Sequence, residues 1–256
     1  FGRFKPDPAV YLGAARLLGL APGQVLMVAA HPFDLVAAQK AGLKTAYIPR
    51  PDEYGPGGRM EPVGDAVFDI VATDLVDLAK KHMQTLSDAT GETVHLGTLI
   101  DSEIIYVHKV DSRHMLGMYS RVGRRAPLHC TAIGKVLMAW EDPERRDLVL
   151  KDAEFKRFRE KTIVEPAAFL AELERVKAQG FGEDREEFDD HIRCLGVPIF
   201  DRLSRPIAGM SISFPTFRYD PARQGEVVAM LTEASRDISA RLGCTQFPLD
   251  AAAPAA

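Results

Sequence analysis

A chain of 256 residues, 46% hydrophobic, is long enough for one large domain or two small ones with packed cores. Its formal charge of −4 excludes a dominant basic face for nucleic acid. Three widely spaced cysteines, Cys130, Cys194 and Cys244, exclude a disulfide framework and point to a reducing, cytoplasmic setting. No apolar run is long enough for a membrane span, and nothing resembles a signal peptide.

The chain opens on Phe1 in the loop-like stretch FGRFKPDP, and we expect a segment upstream to belong to the intact unit. Pro6 and Pro8 sit where a helix can start, Tyr11, Ala15 and Leu18 give it an apolar side, and Gly19 closes it. Residues 25–29 form a continuous apolar run, as in a parallel strand covered on both faces. A helix from Phe33 to Ala41, ended by Gly42, and a strand at residues 45–48 follow. Residues 50–66 read as a loop. The stretch FDIVATDLVDLA reads as a short strand and then a helix capped by Thr73 or Asp74. Strands alternating with helices imply a parallel α/β layer, thin at three strands.

Leu75, Leu78, Ala79, Met83, Leu86 and Ala89 form one helical stripe, so no flexible linker divides the chain here. The pattern then changes. Residues 93–99 and 104–110 read as a hairpin, 131–140 as a helix with Gly134 inside it, and 169–178 as an amphipathic helix ended by Gly180. Residues 195–200 and 207–213 read as strands joined by a turn at 201–205, and 224–242 as a long closing helix. Antiparallel strands with helices on one side make an α+β domain. The expected division is 1–82, 83–248 and a disordered tail at 249–256.

The segments KPDP at 5–8 and VLMVAAHPFDLVAAQKAGLKTAYIPRPDEYGPG resemble the C-terminal part of the haloacid dehalogenase superfamily, most closely its 2-haloacid dehalogenase branch. The resemblance implies a Rossmann-like α/β fragment in which Lys5 and Asp34 match residues that support the site. His31 and Ala29 depart from that branch's usual Asn and Ser. The family's nucleophilic Asp lies upstream of KPDP, so residues 1–80 are expected to be catalytically incomplete. The expectation leans against an enzyme, with Lys5 and Asp34 as ordinary polar residues.

The segment MYSRVGRRAPLHCTAIGKVLMAW, with ETVHLGTLIDSEIIYVHKVDS, FGEDREEFDDHIRCLGVPIFD and IAGMSISFP, resembles the effector-binding domain of IclR-type transcription regulators, in the KdgR-like branch that represses pectin degradation. The resemblance implies a GAF- or profilin-like antiparallel sheet and a homodimer or homotetramer. DNA would be bound only through a winged helix-turn-helix domain that this sequence does not include. The implied ligand is a small keto acid, 2-keto-3-deoxygluconate, with no cofactor and no metal. Ala132 and Ile133 match positions whose backbone faces the ligand, at a helix start suited to a carboxylate. Asp184, Cys194, Ser211 and Ser213 match pocket positions, and Met115, Met118 and Ala126 match the pocket wall.

From the residues alone, plainer roles stay open. Ser211 and Ser213, two apart on one face of a strand, could be small polar residues on a half-buried sheet. Cys194 could be inert, Asp184 a solvated loop carboxylate, and Met115 and Met118 core. Arg121, Arg124 and Arg125 read as a solvated turn or subunit contact. His191 stands where the branch has glycine three residues before the cysteine, so the loop beside the pocket could be reshaped. The alternative to a sensor is a haloacid dehalogenase-type hydrolase whose nucleophile lies outside the chain.

Overall fold

The computed structural model describes residues 4–48, 66–68, 70–71, 75–115, 118 and 120–251. The chain divides into two compact units, residues 1–75 and 76–256. The proposed helix cap at Thr73 or Asp74 and most of the 50–66 loop lie outside the described residues.

The first unit contains α1 (Pro8–Leu17), β1 (Leu26–Ala29), α2 (Pro32–Lys40), β2 (Lys44–Tyr47) and β3 (Ile70–Val71). Asp7 caps α1 by accepting the Ala9 N–H at 2.8 Å. The three strands pair in parallel in the order β1-β2-β3. Tyr11, Ala38 and Leu43 make one small core and Leu35, Tyr47 and Phe68 another. The expectation of a first strand covered on both faces is corrected here. Leu26 and Val28 are 46% and 50% exposed within the described residues. Residues i and i+2 share a face, so one face of β1 is open.

The second unit runs α3 (Leu75–Thr90), β4 (Thr93–Ile100), β5 (Glu103–Val110), β6 (Arg125–Pro127), α4 (Ala132–Trp140), α5 (Pro143–Asp152), α6 (Pro166–Gln179), β7 (Gly182–Arg185), β8 (Ile192–Phe200), β9 (Pro206–Pro215) and α7 (Gln224–Arg241). All but the first residue of α3 belong to this unit. The strands form one antiparallel sheet in the order β6-β5-β4-β9-β8-β7. Helices were expected on one side. Instead, six consecutive positions of β8, Leu195–Phe200, and eight of β9, Ala208–Pro215, are buried. Continuous burial of that kind requires cover on both faces. Helix α4 supplies it on the glycine-bearing face, with α6 packed behind it, and α7 contacts β8 and β9 as well.

Glycines seat α4 on the sheet. Gly97 pairs with Gly209 across β4 and β9, and Gly182 with Gly196 across β7 and β8. A Cβ at Gly209 would lie 2.9 Å from the Ile133 side chain, and one at Gly182 would lie 2.8 Å from the Ala132 carbonyl oxygen. From the helix side, a Cβ on Gly134 would lie 2.0 Å from the Leu128 carbonyl oxygen. The first turn of α4 therefore lies directly against the strands. The disordered tail expected at 249–256 is corrected in its first part: Pro248–Ala251 form a short 3-10 turn, Leu249 is buried, and Asp250 accepts from Arg236 at 2.9 Å. Residues 252–256 lie outside the described residues.

Candidate functional site

Three adjacent strands place Asp184, Cys194 and Ser213 in a single row, since Asp184 is opposite Cys194 and Cys194 opposite Ser213. One step along, Ser211 is opposite both His95 and Gly196. Side chains in such register point to one face. There they line a cavity of about 250 Å3 with Thr131, Ala132 and Ile133 from the start of α4 and with Tyr106, Met118, Ser120, Arg124 and Phe188.

The sequence makes the α4 end suited to an anion or a carbonyl oxygen. Thr131 is the N-cap and its hydroxyl accepts the Gly134 N–H at 3.2 Å. That leaves the N–H groups of Ala132 and Ile133, the first two helical residues, without an intrahelical acceptor. They sit at the positive end of the helix dipole, on the cavity wall.

Beside Arg124, the wall carries a relay of polar side chains. His95 Nε2 lies 2.6 Å from Ser120 Oγ, and His95 Nδ1 lies 3.3 Å from Ser213 Oγ. Ser213 Oγ is 3.1 Å from Cys194 Sγ, which faces Asp184 Oδ2 at 4.0 Å. Burial, with Lys109 nearby, pushes the His95 imidazolium down to about 3, so the ring is neutral. Burial raises the Cys194 thiol and the Tyr106 phenol, and both keep their protons. Burial also pushes the Asp184 carboxyl up to about 7, helped by the Glu187 charge and opposed by the Glu187 N–H and by Lys135. A wall of this kind offers hydroxyl, thiol, imidazole and carboxyl groups that donate or accept without bringing strong negative charge.

Behind Asp184 lies a buried ionic cluster that sequence reasoning missed. Lys135, fully buried in α4, donates to Glu172 Oε1 at 3.0 Å, Glu187 Oε1 at 2.6 Å and the Glu183 carbonyl at 2.7 Å. Arg175 grips both oxygens of Glu172, at 2.8 and 2.9 Å. Burial alone would raise the Glu172 carboxyl, but bonds from Arg175 and Lys135 outweigh it and hold the group down to about 2. The available signal was a single lysine inside an otherwise apolar helix, IGKVLMAW.

Seven of the nine expected ligand-facing residues line the cavity: Ala132, Ile133, Asp184, Cys194, Ser211, Ser213 and Met118. Two do not. Met115 is fully exposed, and Ala126 packs into the hydrophobic core with Ile104 and Leu128. Ala126 lies opposite Ile104 on β5, so its side chain belongs to that core. Asp184, which could have been a solvated loop carboxylate, is buried within β7. Arg124, read as a turn or subunit contact, reaches the cavity. His95, Tyr106 and Ser120 were overlooked, although alternation along β4 places His95 on the face of Gly97. His191 does not reshape the loop by avoiding the left-handed region, since it takes φ 62° itself. Among the described residues, no three His, Cys, Asp or Glu side chains converge as metal ligands do.

In the first unit, Lys5 and Asp34 come together. Lys5 Nζ lies 2.9 Å from Asp34 Oδ2, and the Tyr11 hydroxyl donates to Asp34 Oδ1. Asp34 sits in the first turn of α2, where its charge also suits the helix dipole.

A six-stranded antiparallel sheet with a polar cavity at the N-terminus of an inner helix defines the class, a small-molecule sensing domain. Residues 68–240 match the family described as Bacterial transcriptional regulator IclR C-terminal, and the chain belongs to that family. Among named relatives, the HTH-type transcriptional regulator KdgR of Escherichia coli (strain K12) is 50% identical over 175 residues, covering 68% of this chain and 66% of KdgR. KdgR of Dickeya chrysanthemi is 49% identical over 175 residues, covering 57% of that protein. The chain thus spans less than two thirds of either relative. The crystal structure of the C-terminal domain of E. coli KdgR superposes with TM-score 0.61 at 47% identity, covering 66% of this chain and 98% of that domain. Residues 1–48 are similar to a different family, Haloacid dehalogenase-like hydrolase. No helix among the described residues is long and apolar enough to cross a membrane.

Proposed function

We propose that the second unit binds a small keto sugar acid of the 2-keto-3-deoxygluconate kind, as the effector domain of a KdgR-like regulator acting in the cytoplasm. The observation behind this reading is the pairing, in one cavity, of the α4 N-terminus with a row of hydroxyl, thiol and carboxyl groups. The ligand's carboxylate and keto oxygen sit at the Ala132 and Ile133 N–H groups, and its hydroxyls meet Asp184, Cys194, Ser211 and Ser213. Met118 closes the wall. The sheet is of the GAF or profilin kind, and the domain works as a homodimer or homotetramer. DNA recognition belongs to a helix-turn-helix domain of the whole regulator. Calorimetry with 2-keto-3-deoxygluconate and related keto acids tests the proposal, and folded protein that gives no heat with any of them rejects it.

A second reading concerns the first unit alone, as a partial Rossmann-like piece of a haloacid dehalogenase-type hydrolase. The Lys5–Asp34 pair and the match over residues 1–48 favour it. Halide release from 2-chloropropionate by this chain would establish it.

A further inference from the structure

A fully buried lysine held by carboxylates is a poor device for stability. Taking such charges out of water costs several kcal/mol per ion, and apolar residues of the same volume usually do as well or better. Glu187 makes the arrangement costlier still, because its Oε2 is buried with no hydrogen-bond partner. The position of the cluster suggests a different role. Glu187 lies in the turn after β7, with its two ends engaged in opposite directions. Its side chain accepts Lys135 Nζ from α4, and its backbone N–H donates to Asp184 Oδ1 at 2.8 Å. The Thr162 hydroxyl fixes the Glu187 carbonyl at 2.6 Å. Asp184 Oδ1 is thereby occupied from behind, whereas Oδ2 is on the side of the Cys194 thiol, 4.0 Å away. Lys135 is also one turn from Thr131, so the same helix presents both the N–H groups of the cavity and the lysine that anchors the turn.

We infer that Lys135 and Glu187 form a clasp that positions Asp184, turning its second oxygen toward the ligand and locking it in register with the start of α4. This rests on the cavity being the effector site. Lys135 and Glu187 are positioning residues, acting on the ligand only through Asp184. Across the cavity, Arg124 and Asp189 bring one charge of each sign and His95 is neutral, and none of the three belongs to the clasp. At Asp184 itself, Glu187 adds negative charge and one N–H, the Phe188 N–H adds another hydrogen bond, and Lys135 adds positive charge. Tyr106, Cys130 and Cys194 keep their protons and add none. The two halves of the clasp therefore act on the Asp184 proton with opposite sign. Loss of the Glu187 charge releases that proton more easily, and loss of Lys135 holds it more firmly.

The test is a pH titration of the Asp184 side-chain carboxyl by carbon-13 NMR, using the full chain without ligand. The expected result is a midpoint displaced to lower pH in Glu187→Gln and to higher pH in Lys135→Met. Coincident midpoints in wild type and Glu187→Gln would overturn the clasp, as would displacement of both variants in one direction. Lys135→Met leaves two carboxylates buried together and can fail to fold, so the double variant Lys135→Met/Glu187→Gln, which removes charge from both partners, is measured too. It is expected to melt within a few degrees of wild type while binding 2-keto-3-deoxygluconate about tenfold more weakly. Wild-type affinity in that folded variant would reject the positioning role. If wild type itself binds no keto acid, the effector reading fails, and the ligand-free titration still decides the clasp.

Discussion

At the residue scale, two positions join chemistry to measurable stability. His191 occupies the left-handed region at φ 62°, where a side chain costs roughly 1 kcal/mol and glycine costs little sterically. His191→Gly is expected to stabilise the domain by no more than about 0.5 kcal/mol, because the extra chain entropy glycine brings to the unfolded state offsets about half or more of the relieved strain. Urea denaturation midpoints check this. Asp184 has its folded-state value raised to about 7 from 3.8. Its contribution to stability is thus fully present below pH 3.8 and is lost as pH rises through 7. Asp184→Asn does not titrate, so its melting temperature should gain on wild type from pH 4 to about pH 7 and level off above that. A constant difference across that range would contradict the buried, proton-holding carboxyl. His95, held at about 3, acts in the opposite direction between pH 3 and 6.5, because the unfolded imidazole takes the proton first. The Asp184 effect must therefore be read from the difference between variant and wild type.

At the element scale, α4 is the part on which the site depends. Its apolar run is readable as a helix from sequence, and the structure makes Thr131 its cap and starts it one residue later, at Ala132. Its depth in the sheet is not readable, because it depends on glycines from four different strands, 97, 182, 196 and 209, meeting beneath one turn. Gly134→Ala would drive a methyl to 2.0 Å from the Leu128 carbonyl oxygen, backbone rather than a flexible side-chain end. We expect a loss of about 3 kcal/mol or more, at or beyond the usual range for overpacking, with a correspondingly lower melting temperature. A variant that melts like wild type would mean that α4 can lift from the sheet. Helix α5 and strands β6 and β7 were not anticipated. They are short or polar segments, so local periodicity is weak there.

At the scale of the whole molecule, the two units differ in how well each completes its own core. The second unit has a two-sided sheet, and a fragment of residues 76–251 is expected to fold cooperatively alone and to bind effector as the full chain does. Circular dichroism melts and calorimetry on that fragment check both points. Its acid limit should reflect the Lys135 cluster. Glu172 is lowered to about 2 from 4.5, so its stabilisation is present above pH 4.5 and is lost as pH falls toward 2. Acid unfolding of the fragment should accordingly steepen below pH 4.5, and Glu172→Gln should flatten that limb. The first unit has only three short parallel strands and an open face on β1 at Leu26 and Val28.

The sequence by itself determined the longer helices and strands in their order, the family of the second unit, and about half of the residues around its cavity. Ser211 and Ser213 were legible as a pair because a strand repeats every two residues. Only the tertiary structure decided the rest. The row Asp184–Cys194–Ser213 exists through register across three strands, which no local pattern encodes. It decided that Met115 points away and that Ala126 belongs to the core. It also joined Lys135 to Glu172 and Glu187, 37 and 52 residues away in the chain, where low-dielectric burial makes their charges act on each other and on Asp184.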